Sequence, residues 1–148
     1  MSDATGDPTA AVAIDADVDS TFYWDGASQQ RLLAQRCSRC FRLWHPPGPV
    51  CPHCHCLDWT VDELPLDGVV YAAAKVHEPG SPIQGTDYWI ALVEIADPRG
   101  GEGVRLAGNL RKATVDEARV GAAVAIHFEQ LAGGRLLPQF HLRSPGDA

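Results

Sequence analysis

All five cysteines of the chain fall within twenty consecutive positions, residues 37–56, which read CSRCFRLWHPPGPVCPHCHC. Two C-x-x-C pairs stand out, Cys37/Cys40 and Cys51/Cys54, with ten residues between them. A tight turn of this form points two thiolates at one ion, and two such turns supply a tetrahedral set. The intervening FRLWHPPGPV suits a hairpin whose turn is stiffened by Pro46 and Pro47. Four thiolates at about 2.3 Å close the coordination shell, which marks a structural rather than a catalytic zinc. Arg36, Arg39 and Arg42 are expected to offset the surplus negative charge. Disulfides fit poorly, because the count is odd and no export signal is expected ahead of them. A thioredoxin-like redox pair needs a single C-x-x-C in a βαβ setting that this pattern lacks. An iron centre of rubredoxin type uses the same ligands and stays open beside zinc. Cys56 is left as a spare thiol that could stand in as a ligand, and His53 and His55, although they could also reach a metal, are expected to be solvated.

A length of 148 residues with 45% hydrophobic and 21% charged positions is globular in composition. No run approaches the roughly 18 apolar residues that a membrane span needs. The opening MSDATGDPTAAVAIDADVDS lacks a basic start and an apolar core, so a secretory signal is not expected and a cytoplasmic location is. The net charge of −7 is unevenly spread. Residues 1–30 hold six acids and no Lys or Arg, whereas residues 31–56 hold Arg31, Arg36, Arg39 and Arg42 and no acid. An acidic chain is a poor generic ligand for nucleic acid, where phosphate contacts supply most non-specific affinity. The basic segment leaves a small anionic ligand open.

Residues 1–18 read as a flexible acidic tail, followed by an N-terminal helical segment over 19–36. Asp19 or Ser20 is placed to cap a helix carrying Phe22, Tyr23 and Trp24, with Gly26 expected to interrupt it. The aromatic triplet serves either as an internal anchor or as a partner surface. The zinc ribbon is expected over 37–60. From 61 to 143 the texture changes to strands: 68–78, 87–97, 103–111, 122–131 and 135–143, the last after a Gly133-Gly134 turn. KATVDEARVG, before the fourth strand, reads as a short helical turn, and 144–148 as a second tail. The overall class is mainly β, and five strands at this spacing suggest a small barrel or sandwich. A five-stranded barrel of the oligonucleotide/oligosaccharide-binding (OB) type fits best, although periodicity alone does not separate it from other small β folds.

Evidence for catalysis is thin. No serine sits in a nucleophile elbow and no glycine-rich phosphate loop occurs. His77, His127 and His141 are isolated on strands, and the adjacent acids Asp62-Glu63 and Asp116-Glu117 read as solvated.

The order of an aromatic helix, C-x-x-C, a Pro-Pro segment, Cys-Pro-x-Cys and a small barrel resembles the DUF35 family. The residues that carry the resemblance are Phe22-Tyr23-Trp24, Gln35-Arg36-Cys37-Ser38-Arg39-Cys40 and the run from Pro46 to Cys54. Gly68-Val69-Val70, Val120-Gly121-Ala122-Ala123-Val124 and Leu137-Pro138-Gln139-Phe140 extend it through the barrel. Two positions depart from the family pattern: Phe41 follows the second cysteine where members often carry Gly, and Gly48 stands where many carry Arg. The resemblance implies a rubredoxin-like zinc ribbon joined to an OB-fold, acting as a non-catalytic acyl-CoA-binding scaffold for a thiolase-like enzyme. Such partners include lipid-transfer-type thiolases and aldolases of steroid or fatty-acyl side-chain metabolism. Cations for the coenzyme A phosphates are then sought in Arg39 and Arg42 on the ribbon or Arg111 and Lys112 on the barrel, and Phe22, Tyr23 and Trp24 are the candidate partner surface. Two other classes are weighed against this one. A nucleic-acid module needs a basic groove with stacking aromatics, and a free-standing thioester-processing enzyme needs Cys56 or a histidine as its reactive group.

Overall fold

The computed structural model describes residues 15–77, 87–130, 134–144 and 146. The expected tail therefore falls mostly outside the described residues, as do Pro79-Gly80 and Gly133. One helix, α1 (Thr21–Ser28), precedes eight strands: β1 (Leu32–Cys37), β2 (Leu43–Trp44), β3 (Trp59–Leu64), β4 (Asp67–Val76), β5 (Tyr88–Ile95), β6 (Val104–Arg111), β7 (Ala123–Gln130) and β8 (Leu136–Leu142).

The helix is shorter than the expected segment, because the chain is already extended from Leu32. Ser20 occupies the N-cap position but makes no capping bond. Its hydroxyl instead donates to the Asp17 carboxylate at 2.6 Å, closing a turn just ahead of the helix. Gly26 does not interrupt α1. It is buried within it, and a Cβ there would stand 2.6 Å from Leu33 Cδ1, so a glycine lets the helix lie directly on β1. The break comes at Gln30, which adopts a positive φ of 57°.

Strands β2-β1-β3 form a small antiparallel sheet, with Arg36 opposite both Leu43 and Thr60. The remaining five close into a barrel in the order β4-β5-β6-β8-β7. Its closing contact between β6 and β8 is parallel, pairing Leu110 with Phe140. A closed five-stranded barrel with this connectivity is an OB-fold, and closure leaves no strand edge to pair with another chain. The KATVDEARVG segment forms one turn, with Ala118 N–H donating to Thr114 C=O at 3.0 Å.

A single apolar core runs through both units. Tyr23 from α1, Leu32, Ala34, Leu43 and Leu64 from the sheet, and Val70, Val93, Val124 and Phe140 from the barrel belong to one buried cluster. Val70, Val93, Val124 and Phe140 are essentially solvent-free, and each buried side chain of this size contributes about 1.5–3 kcal/mol. A second, smaller cluster holds Cys37, Cys51, Cys56 and Trp44, with Trp59 packed against it. Among the described residues no helix is long and apolar enough to cross a membrane.

Candidate metal centre and its surroundings

The two cysteine turns are near-copies of each other. Phe41 N–H donates to Cys37 C=O at 3.1 Å, and fourteen residues on, His55 N–H donates to Cys51 C=O at 3.0 Å. Each is then tied back, Cys37 N–H to Arg42 C=O and Cys51 N–H to Cys56 C=O, both at 3.0 Å. The residue after each second cysteine adopts the left-handed conformation, Phe41 at φ 62° and His55 at φ 59°. Glycine takes this conformation at no steric cost. Phe41 therefore keeps the turn that a family glycine would make, at a small conformational expense. Gly48 is different: no atom lies within 4 Å of where its Cβ would be, so the missing arginine is not excluded by packing. Its backbone instead accepts and donates a pair of 2.9 Å hydrogen bonds with the buried amide of Gln35, which pins the Pro-Pro loop to β1.

Folding these turns onto β1 and β2 brings Cys37, Cys40, Cys51 and Cys54 together, with all four sulfurs within 4.8 Å of one another. Across the two turns, Cys37 Sγ lies 3.4 Å from Cys54 Sγ and Cys40 Sγ 3.7 Å from Cys51 Sγ. Four sulfurs at about 2.3 Å from a tetrahedral ion would stand about 3.8 Å apart, so the set fits a metal. Disulfide sulfurs lie near 2.05 Å, well inside these separations, and the cysteines are free. The backbone N–H groups of Cys40 and Arg39 both donate to Cys37 Sγ at 3.4 Å. Those donors draw the Cys37 thiol down to about 6, while burial and the neighbouring sulfurs push the Cys54 thiol up in return. Cys56 lies outside the four-sulfur group, buried beside it with its thiol 3.8 Å from Asp58 C=O.

Arg36 does not serve the sulfur centre as expected. Its side chain is buried, and its guanidinium joins the ribbon to the barrel. Nε donates to Asp62 Oδ2 on β3 at 2.6 Å, Nη2 to Asp97 Oδ1 just after β5 at 2.7 Å, and Nη1 to Phe41 C=O at 2.6 Å. Arg99 adds a 2.8 Å contact to the other Asp62 oxygen. The Arg36 guanidinium, with the Arg99 amide, keeps the Asp97 carboxyl below its ordinary range. Charge pairing at this depth needs every member satisfied, and here each charged atom has a partner. The place of Arg36 beside Cys37 suggests a counter-charge to the sulfurs, whereas its partners lie 26 and 61 positions away.

His45 packs on Tyr23, their ring centres 5.2 Å apart, and burial pushes its imidazole down from 6.5 to about 4. Because the folded value is depressed, the stabilisation from its neutral form is complete above pH 6.5 and is lost as pH falls toward 4. Between pH 7 and 5 the loss is about 2 kcal/mol. Chemical denaturation of the wild type and His45→Gln at both pH values will show this loss as a difference between their pH slopes; equal slopes would contradict it.

The other candidate residues are scattered. Phe22 packs on Trp59 with ring centres 5.4 Å apart, and Tyr23 meets Trp24 edge-on at 5.0 Å. Tyr23 is buried, so this member of the triplet is an internal anchor rather than a surface. Arg42 reaches across the two cysteine turns to His53 at 3.2 Å, so His53 has a protein partner instead of solvent alone. Arg39 is on the ribbon's first turn. Arg111 ends β6 and Lys112 follows it, and Arg111 is clamped to Glu129 through both Nε and Nη2. Glu129 also pairs with His127 at 2.9 Å, and His127 stacks on His141 with ring centres 3.6 Å apart. Strand alternation alone does not reveal that stack, since it depends on the β7–β8 register.

A family model described as ChsH2, rubredoxin-like zinc ribbon domain, matches residues 24–58. A solved structure titled "Ltp2-ChsH2(DUF35) aldolase" is similar at 35% identity and a TM-score of 0.75, covering 88% of this chain and 98% of that one. A DUF35 protein of unknown function from Sulfolobus solfataricus shares the fold at 18% identity, with a TM-score of 0.58 over 86% of this chain. Two curated relatives also match. One is the "Probable enoyl-CoA hydratase alpha subunit" of Thermomonospora curvata, 37% identical over 86% of this chain. The other is the "3-oxo-4,17-pregnadiene-20-carboxyl-CoA hydratase alpha subunit" of Mycobacterium tuberculosis, 32% identical over 81% of it. The chain spans only 38% and 36% of the length of those two relatives. Identity of this extent across the whole ribbon and barrel, matched to nearly all of a solved DUF35 chain, places the protein in the DUF35 family.

Proposed function

We propose that this protein is a non-catalytic subunit that binds acyl-CoA and works with a thiolase-like aldolase, its ribbon held by one structural zinc. The observation that carries the reading is the 35% identity to the DUF35 chain of an assembly titled an Ltp2-ChsH2 aldolase, covering 98% of that chain. The pregnadiene-carboxyl-CoA named for the M. tuberculosis relative favours a steroid side-chain thioester as the acyl group. The layout of the molecule agrees with a helper role. Its cysteines are assigned to a closed four-sulfur set, and Cys56 is buried with no histidine bonded to it among the described contacts. A scaffold that holds one end of a thioester supplies proximity to a partner's catalytic groups without chemistry of its own.

The reading is tested by expressing the chain together with a thiolase-like aldolase and following both through size-exclusion chromatography. The expected result is a stable complex of the two. Separate elution of two well-folded proteins would count against it.

A further inference from the structure

The C-terminal ends of β6 and β8 and the turn that leads into β7 enclose a cleft of about 490 Å³ on the barrel. Four of its lining residues are cations, Arg111, Lys112, Arg119 and Arg143, joined by His141 and a single carboxylate, Glu117. Such a concentration is unexpected in a chain of net charge −7.

The cations are not equally engaged. Arg111 is held by Glu129, and Arg143 lies 3.5 Å from Asp67. Arg119 donates at 3.3 Å to the carbonyl of Asp116, which carries no charge. Among the described residues Lys112 and Arg119 have no carboxylate partner. Glu117 is occupied locally, accepting from the Thr114 amide at 3.0 Å and the Thr114 hydroxyl at 2.7 Å. Lys112 also adopts a left-handed φ of 54°, which any residue with a Cβ enters at a steric cost. Outliers of this kind collect at ligand-binding positions. The imidazole of His141 lines the same cleft and stacks on His127, presenting a flat polar face beside the cations.

From this arrangement we propose that the cleft is a phosphate-binding site, taking a dianionic phosphate group between Lys112 and Arg119 with Arg143 at its side. Arg111 is a positioning residue held by Glu129 and does not bind the phosphate. Charge-assisted hydrogen bonds from several cations to one phosphate are strong and short. Assigning the occupant as the 3′-phosphate of coenzyme A rests on the acyl-CoA reading above; the phosphate site itself does not.

The test is a calorimetric titration of the full chain with inorganic pyrophosphate, coenzyme A and dephospho-coenzyme A. It is repeated on Lys112→Ala/Arg119→Ala and on the distant control Arg31→Gln, with unfolding curves confirming that both variants fold. The proposal expects pyrophosphate to bind the wild type and the control alike and at least tenfold more weakly to the double variant. Equal affinity in all three proteins, or no binding to the wild type, overturns it. Tenfold tighter binding of coenzyme A than of dephospho-coenzyme A, lost in the double variant, identifies the coenzyme's 3′-phosphate as the occupant. Equal affinity for those two, with pyrophosphate still sensitive to the double variant, keeps the phosphate site and rejects that occupant.

Discussion

Cys51→Ser is expected to release the metal and unfold the ribbon, the largest single effect in the molecule. Cys51 is fully buried, and its sulfur faces that of Cys40 at 3.7 Å. Removing one thiolate leaves three, too few to close the shell of a structural ion. Binding of zinc to small ribbons is coupled to folding and is worth about 10–16 kcal/mol in isolated zinc-finger peptides near neutral pH. Besides the sulfur–sulfur approaches, Arg42 bridges the two turns to His53 at 3.2 Å. Trp44 and Trp59 pack against the cysteine cluster and report its state. Metal analysis should find about one ion per wild-type chain and almost none in Cys51→Ser, with a red shift of tryptophan emission. Cys56→Ser is the control, because that thiol lies outside the four-sulfur set, and it should keep its full metal content. Retention of metal in Cys51→Ser, or its loss in Cys56→Ser, would overturn the ligand assignment.

The second large effect is expected at Arg36→Leu, which should destabilise the chain by about 3–5 kcal/mol. Leucine leaves the Asp62 and Asp97 carboxylates buried without their shared cation, Asp62 keeping only the exposed Arg99. It also frees the Phe41 carbonyl, so the damage extends to the first cysteine turn. Much of that cost comes from uncompensated charge rather than from a lost attraction. Combining Arg36→Leu with Asp62→Leu and Asp97→Asn should therefore recover a good part of the stability. Urea unfolding at neutral pH distinguishes the two situations. A loss below about 1 kcal/mol in the single variant would mean that the cluster is exposed to water rather than buried as the geometry has it.

What could be read from the sequence depended on how local the determinant is. The four ligands were legible because C-x-x-C places two thiolates within one turn, and the barrel because five β-rich runs are spaced between turn signals. The role of Arg36 was not. Adjacency to Cys37 made it look like a counter-charge, and only the pairing of β1 with β3 and the approach of the loop after β5 reveal its real partners. Gly26 misled for a similar reason: a glycine signals a helix break unless a distant side chain, here Leu33, needs the space. The aromatic triplet divides, with Tyr23 internal and Phe22 and Trp24 partly exposed. Arg111 and Lys112 are neighbours in sequence, yet the fold gives one a carboxylate clamp and leaves the other facing a cleft.

The functional account is tested most directly by turnover. A thiolase-like aldolase, this chain, and the two together are each assayed for cleavage of a steroid side-chain CoA thioester, with product counted by mass spectrometry. The account predicts product from the pair and none from this chain by itself. Turnover by the isolated chain, or an aldolase equally active with and without it, would contradict the account.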